Sequence, residues 1–262
     1  MIKANKLIKK LYSYFPYRSQ DIWDHSGYQA GVLSSSREIE EVILCLDYTE
    51  DVEKVMLSHP HALVLSHHPF FFGKKNDVLL KDPKKQILLE NLLKNDILLY
   101  SFHTNFDKGE GGMNDTFFSL LSMNPFVLDD PTYRYADVEK PISLFELLSK
   151  IQSVFSLPYI QYLKGEKEEI QRIAVVLGGG GNMSRTAFEH GADVYISGDM
   201  AHHSRLDITR YGLNYIDLPH ECEEKCFIEG MSKILKHIDP DLTLIPVYCQ
   251  HYFSCYGGNE HA

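Results

Sequence analysis

Apolar residues along the chain fall into short blocks that alternate between two spacings. Residues 42–47 (VILCLD), 62–66 (ALVLS) and 97–101 (ILLYS) are brief apolar runs bounded by polar residues, as buried strands are. Between them a helix is expected from about Glu50. A second follows over residues 83–95 (PKKQILLENLLKN), where a proline suited to a first helical turn precedes apolar positions at helical spacing. Residues 1–15 open the chain with Ile2, Leu7, Ile8 and Leu11 set among four lysines, again at helical spacing. The second half repeats the rhythm. Residues 143–155 form an amphipathic helical pattern, and strands are predicted over 172–177 (RIAVVL), 193–197 (DVYIS) and 214–218 (NYIDL). Strands alternating with helices of this length predict an α/β fold with a largely parallel sheet.

A finer echo links the halves. His59 precedes Ser66 by seven residues, and His190 precedes Ser197 by the same seven. Third strands end in His103, with Asp107 four residues on, and in His220, with Glu224 four residues on. This predicts two similar α/β domains, residues 1–125 and 126–262, in a pseudo-twofold relation with one cleft between them. Residues 125–140, rich in Asp and Pro, are the expected linker. The segment after Pro240 is left either to pack back on the first domain or to meet another subunit.

Composition narrows the function. Apolar residues at 44% and charged residues at 24% support a core of useful size. A net charge of −10, without a Lys/Arg stripe, makes double-stranded nucleic acid an unlikely partner. A small anion held through a metal ion stays compatible with it. Five cysteines, an odd number, argue against a secreted disulfide framework. No long apolar run suggests a membrane span, so a cytoplasmic location is expected. Cys222, Cys226, Cys249 and Cys255 lack zinc-finger spacing and read as buried or half-buried thiols.

Thirteen histidines are the unusual count. His67 and His68 directly follow a predicted strand, where ligands of open α/β sheets bind. Adjacent histidines on extended chain face opposite ways, which suits two neighbouring ions better than one. A lone His-His pair is more often two ordinary loop imidazoles, but two further clusters shift the balance. His103 and Asp107 follow another strand, and a carboxylate supplies the anionic ligand that imidazoles lack. His220 and Glu224 follow a third, one helical turn apart if a helix begins there, with Glu221 and Glu223 pointing elsewhere and favouring the helix N-terminus. His203, with His202, lies beyond a further strand as a cleft-lining or proton-carrying group. His59, His61, His190, His237, His251 and His261 are read as structural or surface residues. The run Gly178 to Gly181 is short of either nucleotide-binding fingerprint and reads as a turn rather than a phosphate cradle.

The stretches WDHSGYQAG (23–31), SHHPF (66–70), HTNFD (103–107) with GMND (112–115), GADVYISGD (191–199) and His220 to Glu224 together resemble the NGG-interacting-factor-three-like family, whose members are often labelled GTP cyclohydrolase I type 2 homologues. The resemblance runs over most of the chain. It implies two similar α/β domains, a dinuclear metal site in the cleft between them, and a ring-shaped homohexamer. By motif match the ligands of two divalent ions (zinc, iron or manganese) fall on His67, His68, Asp107, His220 and Glu224. His103 lies close by, either as a group supporting the ligands or as a proton carrier. His25 and Pro219 stand where the family usually has Asn and Gly, which bears on substrate recognition and on the backbone path into His220. The expected activity is metal-dependent hydrolysis of a nucleotide or phosphoester, with His103 and His203 moving protons. The rival reading is a non-enzymatic metal-binding scaffold, regulator or metal store.

Overall fold

A computed structural model of the chain describes residues 1–32, 37–249 and 253–254. His251, Cys255 and His261 lie outside the described residues. A short antiparallel ribbon, β1 (Ile2–Lys3) with β3 (Glu38–Ile39), adjoins helix α1 (Ala4–Tyr14). Helix α1 buries Ala4, Leu7, Ile8 and Leu11, the spacing that puts one apolar stripe inward.

The first large sheet contains β2 (Gly27–Ala30), β4 (Glu41–Cys45), β5 (Leu63–Ser66), β6 (Leu98–Ser101) and β12 (Thr243–Pro246), in the order β12-β4-β5-β6-β2. β12, β4, β5 and β6 run parallel, and β2 closes one edge antiparallel to β6. Helices α2 (Glu50–Leu57), α3 (Lys75–Lys81) and α4 (Pro83–Lys94) fill the crossovers. Asp82 caps α4 by accepting from the backbone N–H groups of Lys84 and Lys85, and Pro83 takes the first turn. Helices α5 (Thr104–Lys108) and α6 (Met113–Leu120) follow β6.

The second sheet contains β7 (Arg134–Ser143), β8 (Gln161–Leu163), β9 (Glu169–Val175), β10 (Val194–Ser197) and β11 (Asn214–Asp217), in the order β7-β9-β10-β11-β8. Its helices are α7 (Leu144–Phe155), α8 (Ser184–Glu189), α9 (His202–Tyr211) and α10 (Cys222–Ile238). In each sheet, three parallel strands lie in chain order. An antiparallel strand that precedes them in sequence sits beside the third, β2 by β6 and β8 by β11. The fifth strands differ: β12 joins β4 in parallel, whereas β7 joins β9 antiparallel.

The stretch expected as a linker is largely structure. Tyr133, Arg134, Tyr135 and Ala136 are buried, and from Arg134 the chain is an edge strand paired with β9. Its polar composition suits an edge, where one side of the strand meets solvent. Side chains alternate between the faces of the central strands. Leu44, Leu63 and Leu98 from the first sheet share one core with Ile173, Ile196 and Ile216 from the second, filled in by Phe227 and Leu235 of α10. Their neighbours Ile43, Val64 and Leu99 face a separate cluster, as do Ala174, Tyr195 and Tyr215. Strands covered on both faces are apolar throughout. Among the described residues no helix is long and apolar enough to cross a membrane.

Candidate metal centre

Three chain segments deliver the chemistry, each just past a parallel strand. His67 and His68 leave β5, their backbone N–H groups held by Leu46 O at 3.1 and 2.9 Å. His103 stands between β6 and α5, and Asp107 projects from α5. His220 lies in the turn between β11 and α10, and Glu223 sits in the first turn of that helix.

Four imidazoles are anchored through Nδ1. His67 bonds Phe102 O at 2.9 Å, His68 bonds Asp47 at 3.0 Å, His103 bonds Asp24 at 2.9 Å and His220 bonds Asp199 at 2.7 Å. Such outer contacts fix ring orientation and leave Nε2 for a ligand. The Nε2 atoms of His68 and His220 lie 3.2 Å apart. Glu223 Oε2 is 2.8 Å from His220 Nε2, 3.5 Å from His68 Nε2 and 4.0 Å from His67 Nε2. Asp107 Oδ1 is 3.6 Å from His67 Nε2. Three sets of donors each lie within 4.8 Å of one another: His67, Asp107 and Glu223; His68, His220 and Glu223; and His67, His68 and His103.

The electrostatics belong to a site short of positive charge. Burial keeps His67 well below the usual imidazole range despite the pull of Glu223, so it is neutral. Burial opposes protonation of His68 too, but Asp47 and Glu223 outweigh it and hold its pKa at about 10. His220 is held at about 9 against burial, mainly by Glu223 and Asp199. Burial, reinforced by the charge of Glu223, drives Asp107 well above the carboxylate range. Glu223 is buried as well, yet His220, His68 and His67 hold it well below that range. Asp107 Oδ1 is buried without a hydrogen-bond partner, and Glu223 Oε2 is buried with only imidazole nitrogens near it. Such orphaned acceptors are costly unless a cation completes them. Facing them with imidazole nitrogens gives the donor set of a divalent transition metal.

The backbone opposite Glu223 is shaped to it. Gly178 has φ +72°, and a Cβ there would stand 2.5 Å from Glu223 Oε1. The glycine run therefore lets the chain pass close to a carboxylate. It also borders a cavity of about 170 Å³ that includes Trp23, His103, Asp107, His220 and Glu223.

Of the residues expected from sequence, His67, His68, His103, Asp107 and His220 are brought together. Glu224 stands outside the three donor sets. Its carboxylate accepts the Cys249 N–H at 2.6 Å and borders a neighbouring cavity of about 380 Å³ together with His68, His220, Asp47 and Lys85. The i,i+4 argument assumed a helix already running at His220. Instead His220 closes a turn, accepting the N–H of Glu223 at 3.0 Å, and the helix starts at Cys222. The turn brings residue i+3 beside the imidazole. His203 is exposed at the start of α9, its ring against His202 at 5.7 Å, and stands outside all three donor sets. Sequence reasoning did not single out Glu223, Asp24, Asp47 or Asp199. The last two each lie two residues past a strand end, a position that could have flagged them.

Fold and site thus define a mixed α/β protein whose histidine and carboxylate groups can hold metal. Its family follows from the sequence model of Duf34/NIF3 (NGG1p interacting factor 3), which matches residues 2–250: the chain belongs to that family. It is 30% identical over 253 residues to a GTP cyclohydrolase 1 type 2 homolog of Clostridium perfringens, covering 93% of this chain and 95% of that one. It is 27% identical over 247 residues to NIF3-like protein 1 of Drosophila melanogaster, covering 89% and 82%. Among solved structures it is similar to reduced HcgD from Methanocaldococcus jannaschii, with TM-score 0.78, 27% identity and coverage of 94% and 97%. A hypothetical protein of Staphylococcus aureus shares the fold at TM-score 0.84 and 21% identity, over 97% of this chain and 99% of that one.

Proposed function

We propose that the chain is a metal-dependent hydrolase with a dinuclear centre, acting on a nucleotide or phosphoester. The observation that carries this reading is the pair of donor sets, His67–Asp107–Glu223 and His68–His220–Glu223, which share one buried carboxylate. With His67 and Asp107 on one side of that carboxylate and His68 and His220 on the other, these residues would hold two adjacent divalent ions. When bound, such ions supply Lewis-acid charge and make water a nucleophile near neutral pH. His103, steadied by Asp24, adjoins His67 and His68 as the third imidazole and is the group placed to carry a proton. Asp24 itself is buried, yet bonds from His103, Thr104 and Ser26 keep it well below the carboxylate range, so it stays an anion. The nucleotide class follows the name carried by several relatives, GTP cyclohydrolase 1 type 2 homolog.

The same reading takes the two sheets as halves of a duplication meeting at the site, since residues 67–107 and 220–223 both supply donors. The matching order and direction of four strands in each sheet support it. Assembly into a homohexamer belongs to the proposal, and sedimentation of the purified protein tests it.

Metal content by mass spectrometry tests the centre directly. About two ions per chain are expected in the wild type, with a clear loss in Glu223→Ala and retention in Glu224→Ala. Loss in Glu224→Ala alone would transfer the ligand role to Glu224. No metal in folded, reconstituted wild type would sink the proposal.

A further inference from the structure

The cavity beside the metal centre has one wall that neither the core nor the donors explain. Trp23 and Phe72 are 55% and 53% exposed. Their rings are stacked, with centroids 6.3 Å apart and planes at 29°. Each also sets an edge-to-face contact on His103, at 5.7 Å from Trp23 and 5.4 Å from Phe72. Trp23 lines the cavity together with Gly178, Gly179 and Gly180. The glycines are informative one by one. Side chains are barred at Gly178 by Glu223 and at Gly180 by Ser197 and Val176, but a Cβ on Gly179 would meet nothing within 4 Å. The space there is open because no side chain fills it.

A half-exposed aromatic ring that lines a wet cavity keeps one flat surface free for stacking. We propose that Trp23, backed by Phe72, is a shelf for a flat heteroaromatic ring of nucleobase type, held between the shelf and the glycine run with its edge toward Asp107, His220 and Glu223. Ring stacking tolerates any π-face, so selectivity among bases falls to those polar groups. The inference rests on the hydrolase reading for its purpose, but not for the binding itself.

Trp23 is the only tryptophan of the chain, so fluorescence excited at the red edge, where indole absorbs and tyrosine does not, reports on the shelf alone. Metal-loaded protein would be titrated with guanosine and adenosine, and with ribose 5-phosphate as a probe that lacks the base. Saturable quenching by at least one nucleoside and none by ribose 5-phosphate is expected. In calorimetry, Trp23→Leu should weaken that nucleoside roughly tenfold or more, the scale of one lost stacking contact. Phe72→Ala should weaken it less, and both variants should keep their metal. Three results would overturn the shelf: neither nucleoside perturbs Trp23 up to millimolar concentration, Trp23→Leu binds as tightly as wild type, or Trp23 emission is already that of a buried ring because another copy covers it. Metal content and hydrolysis are read on the same samples. Binding without turnover would fail the hydrolase reading and leave the shelf standing, and turnover without binding would do the reverse.

Discussion

Two adjacent glutamates at the start of α10 face different cavities, although both are buried. Glu223 joins the imidazoles, while Glu224, its pKa lifted to about 7 chiefly by burial, turns toward Cys249. Protons are part of this arrangement. The pKa values of His68 and His220 are raised to about 10 and 9 by the carboxylates around them, so this pair, whose Nε2 atoms meet at 3.2 Å, holds a proton at pH 7.5 in the ion-free site. A divalent ion needs their neutral forms, so binding must expel protons. Affinity should therefore rise as pH climbs toward 9 and fall on acidification. Calorimetry of zinc binding in two buffers of different ionisation enthalpy measures the release, and a heat that is the same in both would refute it. Asp199 adds a second expectation. It holds His220 from a backbone at φ +52°, in the left-handed region that a non-glycine residue rarely adopts. Asp199→Asn keeps the shape and removes the charge. It should weaken zinc binding by about 10–100-fold, the range for lost outer-shell partners, with little change in thermal stability.

At this scale the grouping of side chains was legible wherever a histidine or carboxylate sat at a strand end. His67, His68, His103, Asp107 and His220 could be read because an apolar run stops and a histidine or carboxylate follows. Glu223 could not be, because its place beside the imidazoles depends on whether the helix begins before or after His220. A one-residue change in that start moves the choice of glutamate, and periodicity does not resolve helix starts so finely.

Elements show the same division. β4, β5, β6 and β10 are visible as apolar runs because both of their faces are covered. β2, β7, β8 and β12 are edge strands with polar or exposed positions, and their pairing rests on backbone hydrogen bonds that leave no apolar signature. Two tests belong here. Helix α7 opens with a complete capping box between Ser143 and Glu146, so Ser143→Ala should cost about 1 kcal/mol in urea denaturation; an unchanged midpoint would show the cap to be dispensable. The glycine run offers a matched pair. Gly178→Ala collides with Glu223, whereas Gly179→Ala meets open space. Zinc content should fall in the first and hold in the second, and equal content in both would remove Gly178 from the architecture of the site.

For the whole molecule, the shared core decides how the chain unfolds. Residues from both sheets and from α10 lie in one cluster, so neither half can lose its structure without exposing the other. A single cooperative transition is expected in guanidinium, with Trp23 fluorescence and far-UV circular dichroism superimposing. Two separated transitions would mean that the halves are energetically independent.

The seat of β12 has a consequence for synthesis. β4 forms its outer edge contact with a strand that leaves the ribosome about two hundred residues later, a delay on the order of ten seconds or more at ordinary rates of translation. Until then the nascent first sheet presents a bare parallel edge, and it also lacks the His220 and Glu223 that complete the donor sets. The chain therefore emerges with its candidate donor sets divided and an apolar strand edge uncovered. A chain arrested before residue 243 should be held by chaperones or aggregate, rather than persist as a folded half.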